Sequence, residues 1–338
     1  MDIRLPPHPP PPSPTRGEGE HEANNNAKIY VAGHSGMVGS ALVRVLRERG
    51  ANNLLLRSRA ELDLLDQSRV AQFFEQEKPE YVFFAAGRTG GIYANNTYRA
   101  DFIYENITIQ NHILHQSFLH GVQKLVFFAC SCIYPRQCAQ PMQEEDILTG
   151  TLEATNEPFA IAKLAGLKMC ESYNRQYGTN FITVIPTNVF GPGQHYAPLN
   201  SLVVPSLIQK FHRAKVNGED EVVLWGTGRP ARDFLYVDDL ADASLFLMDR
   251  YDGHVLLNVC TGEEWTIGTL AQIIKEVVGF TGNVRYDPSR PDGVLHRLQD
   301  PSKLHALGWQ HRVGLREGIR LTYQAYLTDW QQGRLRLI

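Results

Sequence analysis

Gly33-His-Ser-Gly36-Met-Val-Gly39 is the stretch of this sequence with the plainest chemical purpose. It follows the apolar run Lys28-Ile-Tyr-Val-Ala32 and opens a segment with Val38, Leu42, Val45 and Leu46 at helical spacing. Glycines between a strand and a helix allow a tight turn. They also let a pyrophosphate approach the helix N-terminus, whose free N–H groups and dipole attract an anion. Placed after the first strand of a βαβ unit, the spacing predicts a dinucleotide site. The second strand then closes on Arg57-Ser58-Arg59, where an acidic residue would bind the adenosine ribose hydroxyls of NAD. Guanidinium groups suit a 2′-phosphate, so NADP(H) is expected over NAD. Asp63, just beyond, is positioned to meet the adenine edge. The five cysteines, Cys130, Cys132, Cys138, Cys170 and Cys260, have neither zinc-ribbon spacing nor a disulfide framework, and no metal is expected.

These groups need a frame that brings distant segments together. After the first strand and helix come a short strand at Leu54–Arg57, a helix at Val70–Glu77 and a strand at Tyr81–Ala85. A long helix at Tyr104–His120, a strand at Lys124–Ala129, a helix at Pro158–Tyr177 and a strand at Phe181–Ile185 follow. Short strands alternating with helices predict an α/β fold with a doubly wound, Rossmann-type parallel sheet and a ligand outside the carboxyl ends of the strands. Past Phe190-Gly-Pro192 the texture becomes mixed, which predicts a smaller α/β substrate lobe. The expected divisions are a Pro/Asn-rich disordered tail over 1–26, a dinucleotide-binding domain over 27–190 and a lobe over 191–330. Segments near 222–260 are expected to return to the main domain.

Further runs are Gly90-Gly-Ile-Tyr-Ala-Asn-Asn-Thr97, Ser131-Cys-Ile-Tyr-Pro135, Asn156-Glu157-Pro158, Ala160-Ile-Ala-Lys163, Glu171 to Tyr177 and Pro186-Thr-Asn188. Together with Gly33 to Gly39 they resemble the GDP-L-fucose synthases, a group of extended short-chain dehydrogenases/reductases. Trp225-Gly-Thr-Gly228, Val237-Asp-Asp-Leu240 and Pro291-Asp-Gly293 extend the likeness, which covers nearly everything from Lys28 to Trp330. The resemblance implies an NADPH-dependent epimerase–reductase that makes GDP-L-fucose from GDP-4-keto-6-deoxy-D-mannose. It implies cofactor contacts at Gly33, Gly36, Met37, Val38, Gly39, Arg57 and Arg59. Further cofactor contacts fall at Asp63, Leu64, Ala86, Lys163, Pro186 and Asn188. Asn188, Lys210, Trp225, Arg232 and Arg297 lie where the family grips the GDP-sugar; arginine is common at position 210 and lysine at 297. Ser35 stands where the family has an arginine near the cofactor phosphate.

Reducing a ketone by hydride develops negative charge on its oxygen, so a proton donor must stand nearby. Short-chain dehydrogenases supply it from Tyr-x-x-x-Lys on a helix, one turn placing the ammonium below the phenol. Here Lys163 is retained but the tyrosine position is Phe159. The family serine position is Cys130, a poorer donor. Of the cysteine and histidine the family uses for epimerisation, the cysteine matches Cys132 and the histidine position falls at Leu202. A general acid contributes about 10²–10⁴-fold, ~3–5 kcal/mol of barrier, so the missing phenol bears on rate and not on cofactor binding. Tyr134, Tyr173, His195 or water are the alternative donors. Two readings follow: an active or partly active epimerase–reductase, or a catalytically weakened nucleotide-binding relative.

The net charge of −3 provides no basic field for nucleic acid, and no apolar run is long enough to span a membrane. With 43% hydrophobic and 20% charged residues the chain reads as an ordinary globule, and the odd cysteine count points to a reducing, cytoplasmic compartment. The family likeness also implies a homodimer in which the helices at 104–120 and 158–177 meet. Both carry apolar residues on more than one face, among them Ile107, Ile109, Ile113, Ile161, Leu164 and Met169.

Overall fold

A computed structural model describes residues 26–197, 201–290 and 292–336. The tail expected over 1–26 lies, apart from Asn26, outside the described residues. The first half alternates strands and helices: β1 (Ile29–Ala32), α1 (Met37–Glu48), β2 (Leu54–Leu55), α2 (Gln67–Glu77) and β3 (Tyr81–Phe84). It continues through α3 (Ile92–Thr97), α4 (Arg99–Leu119), β4 (Lys124–Phe128), α5 (Glu157–Tyr177), β5 (Phe181–Pro186) and β6 (Asn188–Phe190). The second half holds α6 (Val203–Asn217), β7 (Glu221–Trp225), β8 (Ala231–Arg232), β9 (Phe234–Tyr236), α7 (Val237–Arg250) and β10 (Leu257–Val259). After these come β11 (Trp265–Thr266), α8 (Ile267–Val278), β12 (Asn283–Asp287), β13 (His296–Arg297), α9 (Ser302–Ala306) and α10 (Leu315–Gln331).

The main sheet has six parallel strands in the order β10-β5-β4-β3-β1-β2. The chain steps from β1 to β2 on one side and returns to β3 on the other, so the β1/β3 boundary is the switch point where such sheets bind ligands. Alternation along β1 shows why both faces are covered: Tyr30 and Ala32 join one core, Ile29 and Val31 the other. A third core, with Phe211, Leu270, Ile274 and Ile319, belongs to the second lobe. Within 222–260, β10 adds to the main sheet and α7 packs its Leu240 and Leu247 into the second core. β7 instead pairs with β12 in a sheet of its own.

α5 positions the site and is fixed at both ends. Pro158 sits in its first turn, where a missing N–H costs nothing, and Gly178 ends it in the left-handed region at φ 69°. Asn174 then holds the start of β5, accepting from Phe181 N at 2.9 Å and donating to Phe181 O at 2.8 Å. Midway, Gly166 lets the helix lie against the sheet: a Cβ there would come within 2.5 Å of Phe127 Cζ and 2.8 Å of Gln110 Oε1. Gly166→Val is therefore expected to lower the unfolding free energy by about 2–3 kcal/mol, as overpacking of a buried ring does. An unchanged denaturation midpoint would mean α5 does not pack this closely.

Candidate active site

The carboxyl ends of β1 and β3 meet at the glycine turn. Gly33 has φ 81°, and a Cβ on it would fall 2.7 Å from Ala86 N, just beyond β3. A Cβ on Gly39 would fall 2.1 Å from Gly33 O, so the turn and the first turn of α1 can nest only as glycines. Gly36 caps α1 without a side-chain hydrogen bond, and no acidic residue occupies the first turn. The leading N–H groups are thus open to an anion, with half-buried Met37 and Val38 beside them. His34 Nδ1 is buried there and, among the described residues, has no partner. A dinucleotide pyrophosphate fits this cradle.

At the end of β2 the arginines are already engaged. Arg57 donates to Glu77 Oε1 at 2.5 Å and lies over the Phe73 ring at 5.7 Å, so a ligand phosphate would compete with Glu77. Arg59 is exposed, 3.9 Å from Asp63. The Leu64 carbonyl accepts from His112 Nδ1 at 2.9 Å, which ties this loop to α4.

Lys163 lies on the buried face of α5. Its Nζ donates to Phe128 O at 2.8 Å and stands over the rings of Phe127 at 5.0 Å and Phe159 at 5.8 Å. Burial pushes its pKa down to about 8. Phe159, one turn earlier, packs edge-on against Phe102 with centroids 6.0 Å apart. The ring therefore stands over the ammonium but carries no O–H. A residue missed from sequence is Asn106 on α4, buried and clamped to Arg88 through Oδ1 at 3.1 Å and Nδ2 at 3.0 Å. A Cβ on Gly87 would lie 2.6 Å from its Oδ1 and 3.9 Å from Lys163 Nζ, so glycine, amide and ammonium are close neighbours. An Asn inside a long helix with apolar residues on several faces carries no signal of this.

Cys130 and Cys132 follow β4, and their sulfur atoms are paired as a disulfide, with Cα atoms 5.4 Å apart. The spacings predict no disulfide framework, and Cys138, Cys170 and Cys260 are free, but this one short-range pair is not foreseen. The extended Cys130 and the short 3-10 turn Ser131–Ile133 put the two side chains on one side, which a two-residue spacing alone does not announce. Two alternative donors are otherwise occupied. The Tyr134 hydroxyl is buried, donates to Asn258 Oδ1 at 2.7 Å, and its pKa is pushed up, chiefly by burial. Tyr173, ten residues beyond Lys163 and so about 15 Å along α5, shares a hydrogen bond of 2.8 Å with His115 Nδ1. His195 is exposed in the loop after β6. Leu202 caps α6 and is 50% exposed.

The second lobe presents cations. Arg232 on β8 and Arg297 on β13 are direct register partners in parallel strands. Both guanidinium pKa values are lowered, Arg232 by burial and then by Arg297, and Arg297 by burial. Two like charges held side by side and half-buried call for an anion. Arg297 also donates to Tyr134 O at 3.2 Å, two residues past Cys132, which joins this pair to the cysteine segment. Trp225 is 67% exposed, with Lys210 Nζ 5.8 Å and Arg290 5.1 Å from its ring. Asn188 donates to Asp233 O at 2.9 Å, and Pro186 closes β5 beside Val259.

Comparison with known proteins agrees with this geometry. The model of the NAD dependent epimerase/dehydratase family matches residues 29–267. The chain is 53% identical over 307 residues to GDP-L-fucose synthase 1 of Arabidopsis thaliana, covering 91% of this chain and 95% of that protein. A GDP-mannoheptose C4 reductase from Campylobacter jejuni, solved with NADP bound, superimposes with a TM-score of 0.84 at 43% identity, covering 90% of this chain and 99% of that one. A GDP-L-fucose synthetase from Naegleria fowleri bound to NADP gives a TM-score of 0.84 at 28% identity, covering 91% and 96%.

The buried ammonium makes a test independent of any ligand. Between about 8 and 10.5 the unfolded chain holds a proton on Lys163 that the folded chain has released. Stability therefore rises with pH across that window, and the cost of burial is greatest below it. Lys163→Met is expected to be more stable than wild type at neutral pH, by on the order of 2 kcal/mol. That advantage should shrink as pH climbs through the window. A constant difference in melting temperature would show that the ammonium is not desolvated.

Proposed function

The chain belongs to the NAD dependent epimerase/dehydratase family and, within it, to the GDP-L-fucose synthases, and on that premise we propose that it converts GDP-4-keto-6-deoxy-D-mannose to GDP-L-fucose with NADP(H). In this reading it is an oxidoreductase of nucleotide-sugar biosynthesis that also epimerises at the two carbons flanking the ketone. The observation that carries it is the Arg232–Arg297 pair, hydrogen-bonded to the segment just past Cys132. A diphosphate resting on two guanidinium groups would bring its sugar to the cysteines and to Lys163.

When bound, NADPH supplies the hydride for the ketone carbon. The N–H groups at the start of α1 would hold its pyrophosphate, and Lys163 would donate to the nicotinamide ribose. Residues 27–190 carry this half of the site, and 191–330 most of the sugar-nucleotide half. Trp225 offers an aromatic face to the ligand, and Lys210 adds charge. Cys132 moves protons only as a free thiol, so epimerisation requires the Cys130–Cys132 pair to be open, as in the reducing cytoplasm. Phe159 cannot protonate the developing alkoxide. Of the groups named as substitutes, Tyr134 is buried against Asn258 and Tyr173 lies about 15 Å along α5 from Lys163, so water or the exposed His195 would deliver the proton. That same observation favours a second reading, in which the protein binds NADP(H) and the sugar nucleotide but reduces slowly.

The chain is further proposed to act as a homodimer through the outer faces of α4 and α5, where Tyr104 and Ile161 are exposed. A solution mass of one chain would end that proposal. Among the described residues no helix is long and apolar enough to cross a membrane.

The deciding assay measures NADPH oxidation with GDP-4-keto-6-deoxy-D-mannose under reductant, with deuterium uptake beside the ketone read separately. Ketosugar-dependent oxidation supports the enzyme; NADPH binding without turnover at high protein concentration supports the second reading. Phe159→Tyr is expected to raise the hydride step by about 10²–10⁴-fold while leaving deuterium uptake unchanged. Equal rates for wild type and variant would mean that another group already delivers the proton.

A further inference from the structure

After α10 the chain turns back onto the molecule. Gly333 adopts φ 64°, and Arg334 N donates to Asp329 O at 2.8 Å. Leu335 then packs on the third core, and Arg336 O accepts from Tyr196 N at 2.8 Å. Tyr196 is itself buried against Tyr326, ring centroids 4.8 Å apart, so the backbone of residue 336 is anchored to a rigid face. From that anchor the Arg336 guanidinium donates to the carbonyl oxygen of Ser35, in the middle of the glycine turn. The two residues are 301 positions apart.

Ser35 is exposed, and the residue before it, His34, lies close enough to the corner next to the end of β2 to act on Glu61 there. The Glu61 carboxylate marks that corner: it accepts from Ser58 N and Oγ, each at 2.7 Å, and feels both Arg57 and His34. In a dinucleotide-binding sheet this is where the adenosine ribose is read. The local charges do not favour a dianion. Arg57 is held by Glu77, Arg59 faces Asp63, and Glu61 stays ionised, its carboxyl pKa lowered chiefly by Ser58. Two arginines thus stand against three carboxylates before any phosphate arrives. Arg336 brings the missing positive charge, and its present acceptor is a backbone carbonyl that does not neutralise it.

We propose that Arg336 reads the 2′-phosphate of NADP(H), delivered to the glycine turn by the folded-back segment after α10. This rests on the dinucleotide reading of that turn. A guanidinium can grip a phosphate with two parallel N–H groups, whereas NADH offers only a neutral hydroxyl there. Arg336 is therefore a specificity-determining residue and takes no part in the chemistry.

The test is binding of NADPH and of NADH to the full chain, followed by nucleotide fluorescence, for wild type, Arg336→Ala and Arg336→Lys. Arg336→Ala is expected to weaken NADPH by about 10- to 100-fold and NADH by less than about 2-fold, with Arg336→Lys between because it keeps charge without the fork. Equal losses for both nucleotides, or no loss for either, would overturn the proposal while leaving the dinucleotide site intact. A folded wild-type chain that binds neither nucleotide would overturn the dinucleotide reading itself.

Discussion

One buried ammonium organises the centre of this molecule. Placing a lysine charge out of water is costly, and Lys163 is retained because its Nζ donates to Phe128 O at 2.8 Å between two aromatic faces. That arrangement is demanding, since consecutive residues on a helix point about 100° apart and a slip of one position along β4 would lose the carbonyl. The devices around α5 therefore act as register controls as much as stabilisers. Gly166 sets the depth at which the helix lies on the sheet, and Asn174 ties its end to β5. The site is a consequence of that docking: with α5 fixed, the ring at 159, the ammonium at 163 and the cysteines after β4 have nowhere else to be.

The second lobe meets the opposite constraint, since two of its cations sit side by side with Glu264 and Glu153 near but not bonded to them. Arg232 and Arg297 are neighbours across two strands, and neither has a carboxylate bonded to it among the described residues. What holds their strands in place is next to them in sequence. Asp233 is fully buried and accepts from Thr261 N, Thr261 Oγ1 and Gly262 N, which fastens β8 to the turn after β10. Even so, desolvation wins over those donors and pushes its carboxyl pKa up to about 6. A buried acid at the root of two adjacent arginines is a costly way to build a stable lobe. It makes sense as a rigid mount for groups whose partner arrives from solution.

Much of this was readable from residue order because it depends on local pattern. The alternation of strand and helix, the glycine turn and the one-turn spacing of positions 159 and 163 are all short-range features. Boundaries were less legible: α4 begins at Arg99, five residues before its apolar periodicity is plain. The sequence does not announce α6, because Pro205 stands in its first turn and looks like a breaker where it is tolerated. The site features that escaped are long-range. That Glu77 holds Arg57, that Asn106 and Lys163 both border Gly87, or that Arg336 returns to Ser35 follows from contacts between distant segments, up to 301 positions apart, which no spacing rule encodes. The Cys130–Cys132 pairing is local but conformational, set by backbone angles and not by residue identity.

The same distinction explains how a chain can keep a whole binding apparatus around an altered proton donor. The proposed cofactor contacts at the glycine turn use backbone N–H groups, which the change at position 159 leaves in place. Lys163 is held by sheet packing, and Phe159 fills its place against Phe102 with carbon alone. Folding and binding therefore do not register the missing oxygen, because both are ground-state properties of shape and charge. Only the transition state does, when charge appears on the substrate and a donor is wanted, and that difference of about 3–5 kcal/mol is felt in rate alone. Stability and nucleotide affinity in such a protein consequently carry no information about turnover, because the source of one proton acts on the reduction rate without changing either.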